Sequence, residues 1–210
     1  MTDRAQADET RPVILEERAS AVAVIRLNRP AERNPLSVAT LEDLDELVST
    51  LLARTDISTI IFTGAGDSFA SGADIRELRA LMPETAREFA RRGQRLMQKI
   101  ADAPQLTIAA VNGYCMGGGL DLALACRLRC AAPSAVFAHP GARLGIMTGW
   151  GGTQRLPRLV GQARALEMFA TAQRLTADEA YEMGLVNRVG YPVLEVAQEL
   201  ALLLNRDGTR

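Results

Sequence analysis

Residues 112–122, N-G-Y-C-M-G-G-G-L-D-L, combine the residue types best suited to chemistry in this chain. Three consecutive glycines, 117–119, follow an apolar run and open a second run, 120–125, of helical character. Consecutive glycines would weaken a regular element, but they allow the backbone to approach a ligand closely. The free N–H groups at a helix start favour negative charge, and Asp121 would lie in the first turn. The segment therefore predicts backbone donors for an anionic oxygen beside a carboxylate.

Three further segments contain small residues around predicted turns. Residues 68–75 read S-F-A-S-G-A-D-I, residues 144–156 read L-G-I-M-T-G-W-G-G-T-Q-R-L, and residues 26–37 read R-L-N-R-P-A-E-R-N-P-L-S. The chain has neither the G-x-G-x-x-G turn of dinucleotide-binding proteins nor a G-x-x-x-x-G-K-[ST] phosphate loop. Taken in order, the four segments resemble the crotonase family, the enoyl-CoA hydratase/isomerase superfamily, and the resemblance extends over about residues 13–189.

The resemblance implies an oxyanion hole for the carbonyl oxygen of an acyl-CoA thioester. Its two donors would be the backbone N–H groups of Ala73 and Gly118, with Gly117 also in contact with the substrate. Removing one such donor typically costs about 10²–10³ in rate. Tight turns that serve packing alone are the alternative interpretation of both segments.

The resemblance also implies that two loops bind CoA. The residues concerned are Arg29, Ala31 and Arg33 in the first loop, and Ala70, Ser71, Asp74, Ile75 and Arg76 in the second. Arginine suits contacts with phosphate. An exposed loop that carries arginine on its surface is the alternative interpretation.

A general base is implied at Asp121, where the hydratases of the family carry the first of two glutamates. Some dienoyl-CoA isomerases of the family carry aspartate here; the alternative is a first-turn acid that stabilises the helix dipole. The second glutamate would fall at Gly141 and is absent. Gly149 occupies the position where isomerase and dehalogenase relatives carry an aspartate. His139, the sole histidine, is either a group that titrates near neutrality in the site or an ordinary turn residue.

The favoured hypothesis is an enzyme that reversibly hydrates 2-enoyl-CoA in fatty-acid-type metabolism. The alternatives are an enoyl- or dienoyl-CoA isomerase that uses one carboxylate, a crotonase-fold protein that binds acyl-CoA without chemistry, and a truncated, inactive fragment. No cofactor and no metal is implied, because hydrogen bonds alone would stabilise the enolate and CoA enters as part of the substrate. Trp150, Met147 and Met116 would line an acyl pocket or belong to the core, and the orientation of Arg143 is left open.

The composition argues against several other classes. A net charge of −1 and a single lysine, Lys99, provide no basic surface for nucleic acid or an anionic membrane. No apolar run reaches the roughly 20 residues of a membrane span, and residues 1–11 lack the apolar core of a signal peptide. Cys115, Cys126 and Cys130 suit reduced thiols in a cytoplasm. Scattered cysteines and one histidine also argue against a zinc site.

Strand and helix patterns alternate along the chain and indicate an α/β fold. β-rich runs at 12–17 and 21–27 predict a hairpin, and apolar spacing predicts a helix over 37–54 with Ser37 as its N-cap. Further strands are predicted at 57–63, 106–111, 128–131, 135–137 and 185–189, and further helices at 74–82, 84–101 and 193–205, with Thr176 as another cap.

The resemblance implies a spiral of β-β-α repeats with helices packed around it. Residues 1–11 are predicted to be a disordered tail, 12–190 the acyl-CoA-binding core and 191–210 a partial C-terminal helical region. Relatives usually continue into a longer helical region that supports trimers and covers the acyl pocket. A homo-oligomer, trimer or hexamer, is therefore expected by resemblance, and the short C-terminal region puts this expectation in doubt.

Overall fold

The computed structural model describes residues 11–18 and 21–206. The predicted disordered tail, apart from Arg11, lies outside these ranges. No helix in the two ranges is both long enough and apolar enough to cross a bilayer.

Short strands, most of them paired in parallel, alternate with helices over the described residues. The strands are β1 Val13–Arg18, β2 Val22–Leu27, β3 Pro35–Leu36, β4 Thr59–Gly64, β5 Ser68–Ala70, β6 Gly72–Ala73, β7 Leu106–Val111, β8 Tyr114–Met116, β9 Leu128–Ala131, β10 Val136–Ala138, β11 Leu175–Thr176 and β12 Arg188–Val189. The helices are α1 Val38–Leu52, α2 Ile75–Ala80, α3 Pro83–Ala101, α4 Gly118–Ala125, α5 Gly141–Leu144, α6 Gly152–Val160, α7 Gln162–Thr171, α8 Ala177–Glu182 and α9 Val193–Arg206.

Most of these strands belong to one of two principal sheets. The first has the order β1-β2-β4-β7-β9-β12, and the second has the order β11-β10-β8-β5. The first strand pair is the predicted antiparallel hairpin, and the pairs from β2 to β12 are parallel. Each repeat places one strand in each sheet and then a helix, as in β7-β8-α4 and β9-β10-α5. The predicted α/β class and the spiral of β-β-α repeats are therefore confirmed.

The six-stranded sheet has a hydrophobic cluster on each face, because successive side chains of a strand point to opposite faces. Ile60 and Phe62 of β4 belong to the larger cluster, beneath α1 and α3. Ile61 points the other way, into a cluster that includes Ala197 and Ala201 of α9. All five side chains are at most 1% exposed. Full burial of one aliphatic or phenyl side chain contributes about 1.5–3 kcal/mol, so α9 is an integral part of this fold.

Local signals located most helix starts and several strands correctly. Ser37 Oγ accepts a hydrogen bond from Thr40 N at 3.2 Å, and Thr176 caps α8 through Glu179 N at 3.3 Å. The predicted strand 185–189 is wrong over its first half, because Leu185 N donates to Ala180 O at 2.8 Å and closes a turn after α8. The strand predicted at 135–137 begins one residue later, at Val136.

Candidate active site

Three neighbouring strands of the second sheet end at one edge, and the candidate residues follow them there. β5, β8 and β10 are parallel, with Ala70 opposite Cys115 and Ala138 opposite Met116. Because parallel strands end at the same edge of a sheet, the residues that follow them emerge side by side. Residues 71–73, residues 117–118 and His139 therefore come together from distant parts of the sequence.

The backbones of the two glycine-rich turns are in contact. A Cβ atom on Gly118 would lie 3.3 Å from Ala73 N, and one on Gly72 would lie 2.8 Å from Met116 O. Gly72 and Gly117 also have φ angles of +99° and +51°, which side-chain-bearing residues rarely adopt. Gly118 is the first residue of α4, where an N–H group has no partner within the helix. The structure thus brings the two predicted donor residues together.

A cavity of about 290 Å³ opens beside these turns, and both Ala73 and Gly118 line it. Its apolar wall comes from α2, α3 and the segment after β10, and it includes Leu78, Leu81, Phe89, Leu144, Met147 and Trp150. Such a mainly apolar cleft with a few polar groups is typical of a small-molecule site.

Asp121 is 1% exposed and lies at the base of the cavity. Thr148 Oγ1 donates a hydrogen bond to its Oδ2, whereas its Oδ1 has no hydrogen-bond partner among the described residues. Burial raises the pKa of the carboxyl from 3.8 to about 6, and the Thr148 hydroxyl and the nearby backbone N–H groups of Trp150 and Gly152 oppose that rise. A carboxyl with its pKa this close to neutrality can take up and release a proton at neutral pH.

His139 faces the same carboxylate from β10. Its Nε2 lies 3.6 Å from Asp121 Oδ1, too far for a hydrogen bond. Its ring packs on Phe169 with centroids 5.1 Å apart, and only 3% of the residue is exposed. Burial lowers the pKa of His139 to about 4, so the imidazole is neutral at neutral pH. His139 lines the cavity, but the prediction that it titrates near neutrality is wrong, because burial keeps the imidazole neutral.

Two residues of the site, Thr148 and Gly152, were not predicted from the sequence. Thr148 binds Asp121. A Cβ atom on Gly152 would lie 2.2 Å from Asp121 Oδ1 and 3.0 Å from His139 Nε2, so glycine is needed there. Both residues lie in the third motif, and the paired glycines of G-W-G-G were the available signal.

Trp150 both lines the cavity and belongs to the core. Its indole fills the space that side chains on Gly93 and Gly118 would occupy, at 2.3 and 2.4 Å. Met147 lines the cavity and is 63% exposed. Met116 and Arg143 do not line it, and Arg143 is exposed to solvent.

The two predicted CoA-binding loops form one surface. Ser71 N donates to Arg33 O at 2.9 Å, and Arg76 pairs with Glu32 at 2.7 Å. Arg29 also pairs with Glu32, at 2.8 Å, and Asp74 both caps α2 and pairs with Arg76. These ion pairs hold guanidinium groups at the surface of both loops.

The other members of the predicted CoA set differ in accessibility. Ala31 and Ser71 are exposed, Ile75 is half-exposed, and the Arg33 guanidinium lies 5.5 Å from the centre of the Tyr114 ring. Ala70 is fully buried. Ser71, Ala73, Ile75 and Gly117 line the cavity, so the surface formed by the two loops continues into it.

The two positions that lack a carboxylate, Gly141 and Gly149, differ in the free space around them. A Cβ atom on Gly141 would lie 2.4 Å from the backbone oxygen of Ile146, whereas one on Gly149 meets no atom within 4 Å. The chain after α5 thus folds back over the position where a second glutamate would stand. A glutamate there cannot be accommodated unless the backbone moves.

We expect Gly141→Glu to lower the free energy of unfolding by about 1–3 kcal/mol, because its Cβ forces the backbone of Ile146 to move. Urea denaturation measures the change. Arg143→Glu, at an exposed neighbouring position, adds a carboxylate without this contact and should be close to neutral. Equal stability of the two variants would contradict the prediction.

Comparisons with known proteins agree with this geometry. A family model described as "Enoyl-CoA hydratase/isomerase" matches residues 17–206. The chain is 40% identical over 196 residues to a short-chain-enoyl-CoA hydratase of Clostridium acetobutylicum, covering 92% of this chain and 75% of that protein. It is 43% identical over 180 residues to a crotonyl-CoA hydratase of Syntrophomonas wolfei, covering 85% and 69%.

Solved structures are similar over most of the chain. The crystal structure of an enoyl-CoA hydratase from Bacillus anthracis superposes with a TM-score of 0.89 at 38% identity, covering 92% of this chain and 76% of that one. DspI of Pseudomonas aeruginosa also gives 0.89, at 36% identity, covering 95% and 76%.

Proposed function

Because the chain belongs to the enoyl-CoA hydratase/isomerase family, we propose that it adds water reversibly across the double bond of a 2-enoyl-CoA thioester. The family inferred from the four sequence motifs is confirmed by these matches. One observation carries the proposal: the backbones of Ala73 and Gly118 meet at a cavity whose base is the Asp121 carboxylate. The hydratase names of two relatives support the choice of hydration.

The proposed chemistry needs one carboxylate that carries one proton. Asp121 accepts a proton from water while the water oxygen forms a bond to C3 of the enoyl group. The electron pair of the double bond moves onto the thioester oxygen, which the N–H groups of Ala73 and Gly118 stabilise. The protonated Asp121 then donates its proton to C2. One water molecule has been added, and the carboxylate is restored.

CoA binding by the two loops supports the same placement of substrate. We propose that Arg29, Arg33 and Arg76 meet the phosphates, because all three lie on one surface that leads into the cavity. The exposed residues Ala31 and Ser71 offer further contacts with CoA. The trimer or hexamer expected by resemblance stays a prediction, which sedimentation analysis tests.

Isomerisation of a 3-enoyl-CoA is the second candidate function. Asp121 is the only carboxylate among the described residues that line the cavity. A single base can remove a proton from C2 and return it to C4 of the same substrate, so no second carboxylate is needed. Unlike hydration, this isomerisation requires no bound water.

Purified protein with crotonyl-CoA tests the proposal directly. Hydration removes the ultraviolet absorbance of the conjugated thioester and yields 3-hydroxybutyryl-CoA, which chromatography identifies. Conversion of 3-butenoyl-CoA to crotonyl-CoA without hydration would select isomerisation instead. Binding of both thioesters with no product would mean a non-catalytic acyl-CoA-binding protein.

The pH dependence of the hydration rate should follow Asp121. Its raised pKa means that the carboxylate able to accept a proton is lost as the pH falls through about 6. We expect kcat/KM to rise about tenfold per pH unit below 6 and to level off above it. Over this range His139, with a pKa of about 4, stays neutral and adds no second step. Initial rates with crotonyl-CoA measure the profile; a rate that is flat between about pH 5 and 8 would contradict it.

A further inference from the structure

Two buried polar atoms face each other across the base of the cavity without a hydrogen-bond partner. They are Asp121 Oδ1 and His139 Nε2, 3.6 Å apart. Among the side chains of the described residues, only Gln105 Oε1 shares this condition, and Gln105 does not line the cavity. Leaving a buried polar group unpaired costs about 1–3 kcal/mol, so two such atoms at one point are suited to hydrogen-bond a single ligand that contacts both.

The chemistry of the two atoms identifies that ligand. Ionised Asp121 offers only acceptors, and a neutral imidazole that carries its hydrogen on Nδ1 offers an acceptor at Nε2. In that tautomer the two facing acceptors need a molecule with two hydrogens to donate. A water molecule placed beside both atoms can donate one hydrogen to each at normal distances, whereas the atoms themselves are too far apart to pair.

No other polar side chain of the described cavity lining has a buried atom without a hydrogen-bond partner. The Thr148 hydroxyl donates to Asp121 Oδ2, and Ser71 belongs to the exposed loop that joins Arg33. Gly141 and Gly149 carry no side chain. His139 is therefore the one side chain among the described cavity residues that presents an unpaired polar atom to Asp121 Oδ1.

We propose that His139 is the second group holding the reacting water, with Nε2 accepting the hydrogen that Asp121 does not take. This inference rests on the proposed hydration. In the reaction the water transfers one hydrogen to Asp121 and its oxygen bonds to C3, while the second hydrogen stays on oxygen and remains donated to His139. The product hydroxyl keeps this hydrogen bond, and the imidazole keeps its own proton throughout.

The test compares His139→Leu and His139→Gln with the wild type. Leucine fills much of the volume and accepts no hydrogen bond, whereas the glutamine amide oxygen can accept one. We expect His139→Leu to lower kcat for crotonyl-CoA hydration by about 10²-fold with little change in binding, as for a misplaced reactant. His139→Gln should recover most of that loss. Thermal unfolding of both variants confirms that they are folded.

A second reaction separates a role on water from a role in positioning Asp121. Exchange of the C2 hydrogen of butyryl-CoA with deuterated solvent uses Asp121 and the oxyanion hole but adds no water. The proposal predicts that His139→Leu keeps this exchange while hydration falls. It is overturned if hydration survives in His139→Leu, if exchange and hydration fall together, or if His139→Gln recovers nothing. A wild type that exchanges C2 hydrogen but does not hydrate crotonyl-CoA would refute the proposed function instead.

Discussion

Asp121→Asn should reduce kcat for 2-enoyl-CoA hydration by about 10³-fold, within the range for loss of a general base. The amide fills the same space and can still accept a hydrogen bond from Thr148, but it cannot take a proton from water. Binding of the CoA thioester should be largely unchanged, because the two loops and the backbone donors remain in place. Stopped-time assays with crotonyl-CoA measure kcat, and titration of the protein with the thioester measures binding.

Asp121→Asn should also be more stable than the wild type at neutral pH. In the folded protein the pKa of Asp121 is about 6, above its ordinary value of 3.8, so ionisation is harder there than in the unfolded chain. The contribution of this group to stability therefore falls as the pH rises from about 4 to 6, and its cost is complete above 6. At pH 7 removing the charge should stabilise the fold by up to about 3 kcal/mol. An asparagine variant that is both active and less stable would refute this account.

Gly152→Ala should lower kcat by at least about 10²-fold, although it changes no group that takes part in the reaction. The new methyl group would lie 2.2 Å from Asp121 Oδ1 and 2.9 Å from Thr148 Cγ2, so the carboxylate has to move. A displacement of about 1 Å is enough for a loss of this size. Steady-state hydration of crotonyl-CoA measures it, with thermal unfolding to show that the variant is folded.

Gly149→Ala is the matched control, three residues earlier in the same segment. Its methyl group meets no atom within 4 Å, and the φ angle of Gly149 is not in the left-handed region. It should retain most of the wild-type activity. Equal losses in the two alanine variants would mean that the whole segment is sensitive to substitution, and would remove the argument from the Asp121 contact.

Local patterns predicted those elements whose formation depends on neighbouring residues. The apolar run that predicted a strand at 106–111 is β7 with the same bounds. Ser37 and Thr176 act as helix caps, because a cap is satisfied within three residues. The two-residue strands β3, β6 and β11 were beyond such reasoning. β6 forms only because β3 lies beside it, and nothing in its own sequence specifies that neighbour.

The candidate site likewise contains residues that the sequence predicted and residues that only the folded structure reveals. Motif resemblance suggested Ala73, Gly118 and Asp121, and the structure brings them to one cavity. Thr148 lies 27 residues from Asp121 in sequence, so its hydrogen bond becomes visible only in the folded chain. His139 could be interpreted in two ways, because the register of β10 against β8, which directs it to the glycine turn, is not encoded locally.

β4 separates the two hydrophobic clusters of the six-stranded sheet and belongs to both. Its backbone is paired with β2 on one side and β7 on the other, while its side chains are covered on each face. The amide hydrogens of β4 consequently have no route to solvent through local fraying. They should exchange for deuterium only when the entire molecule opens, so their uptake rate reports the global free energy of unfolding and should fall when acyl-CoA binds at the far edge of the second sheet.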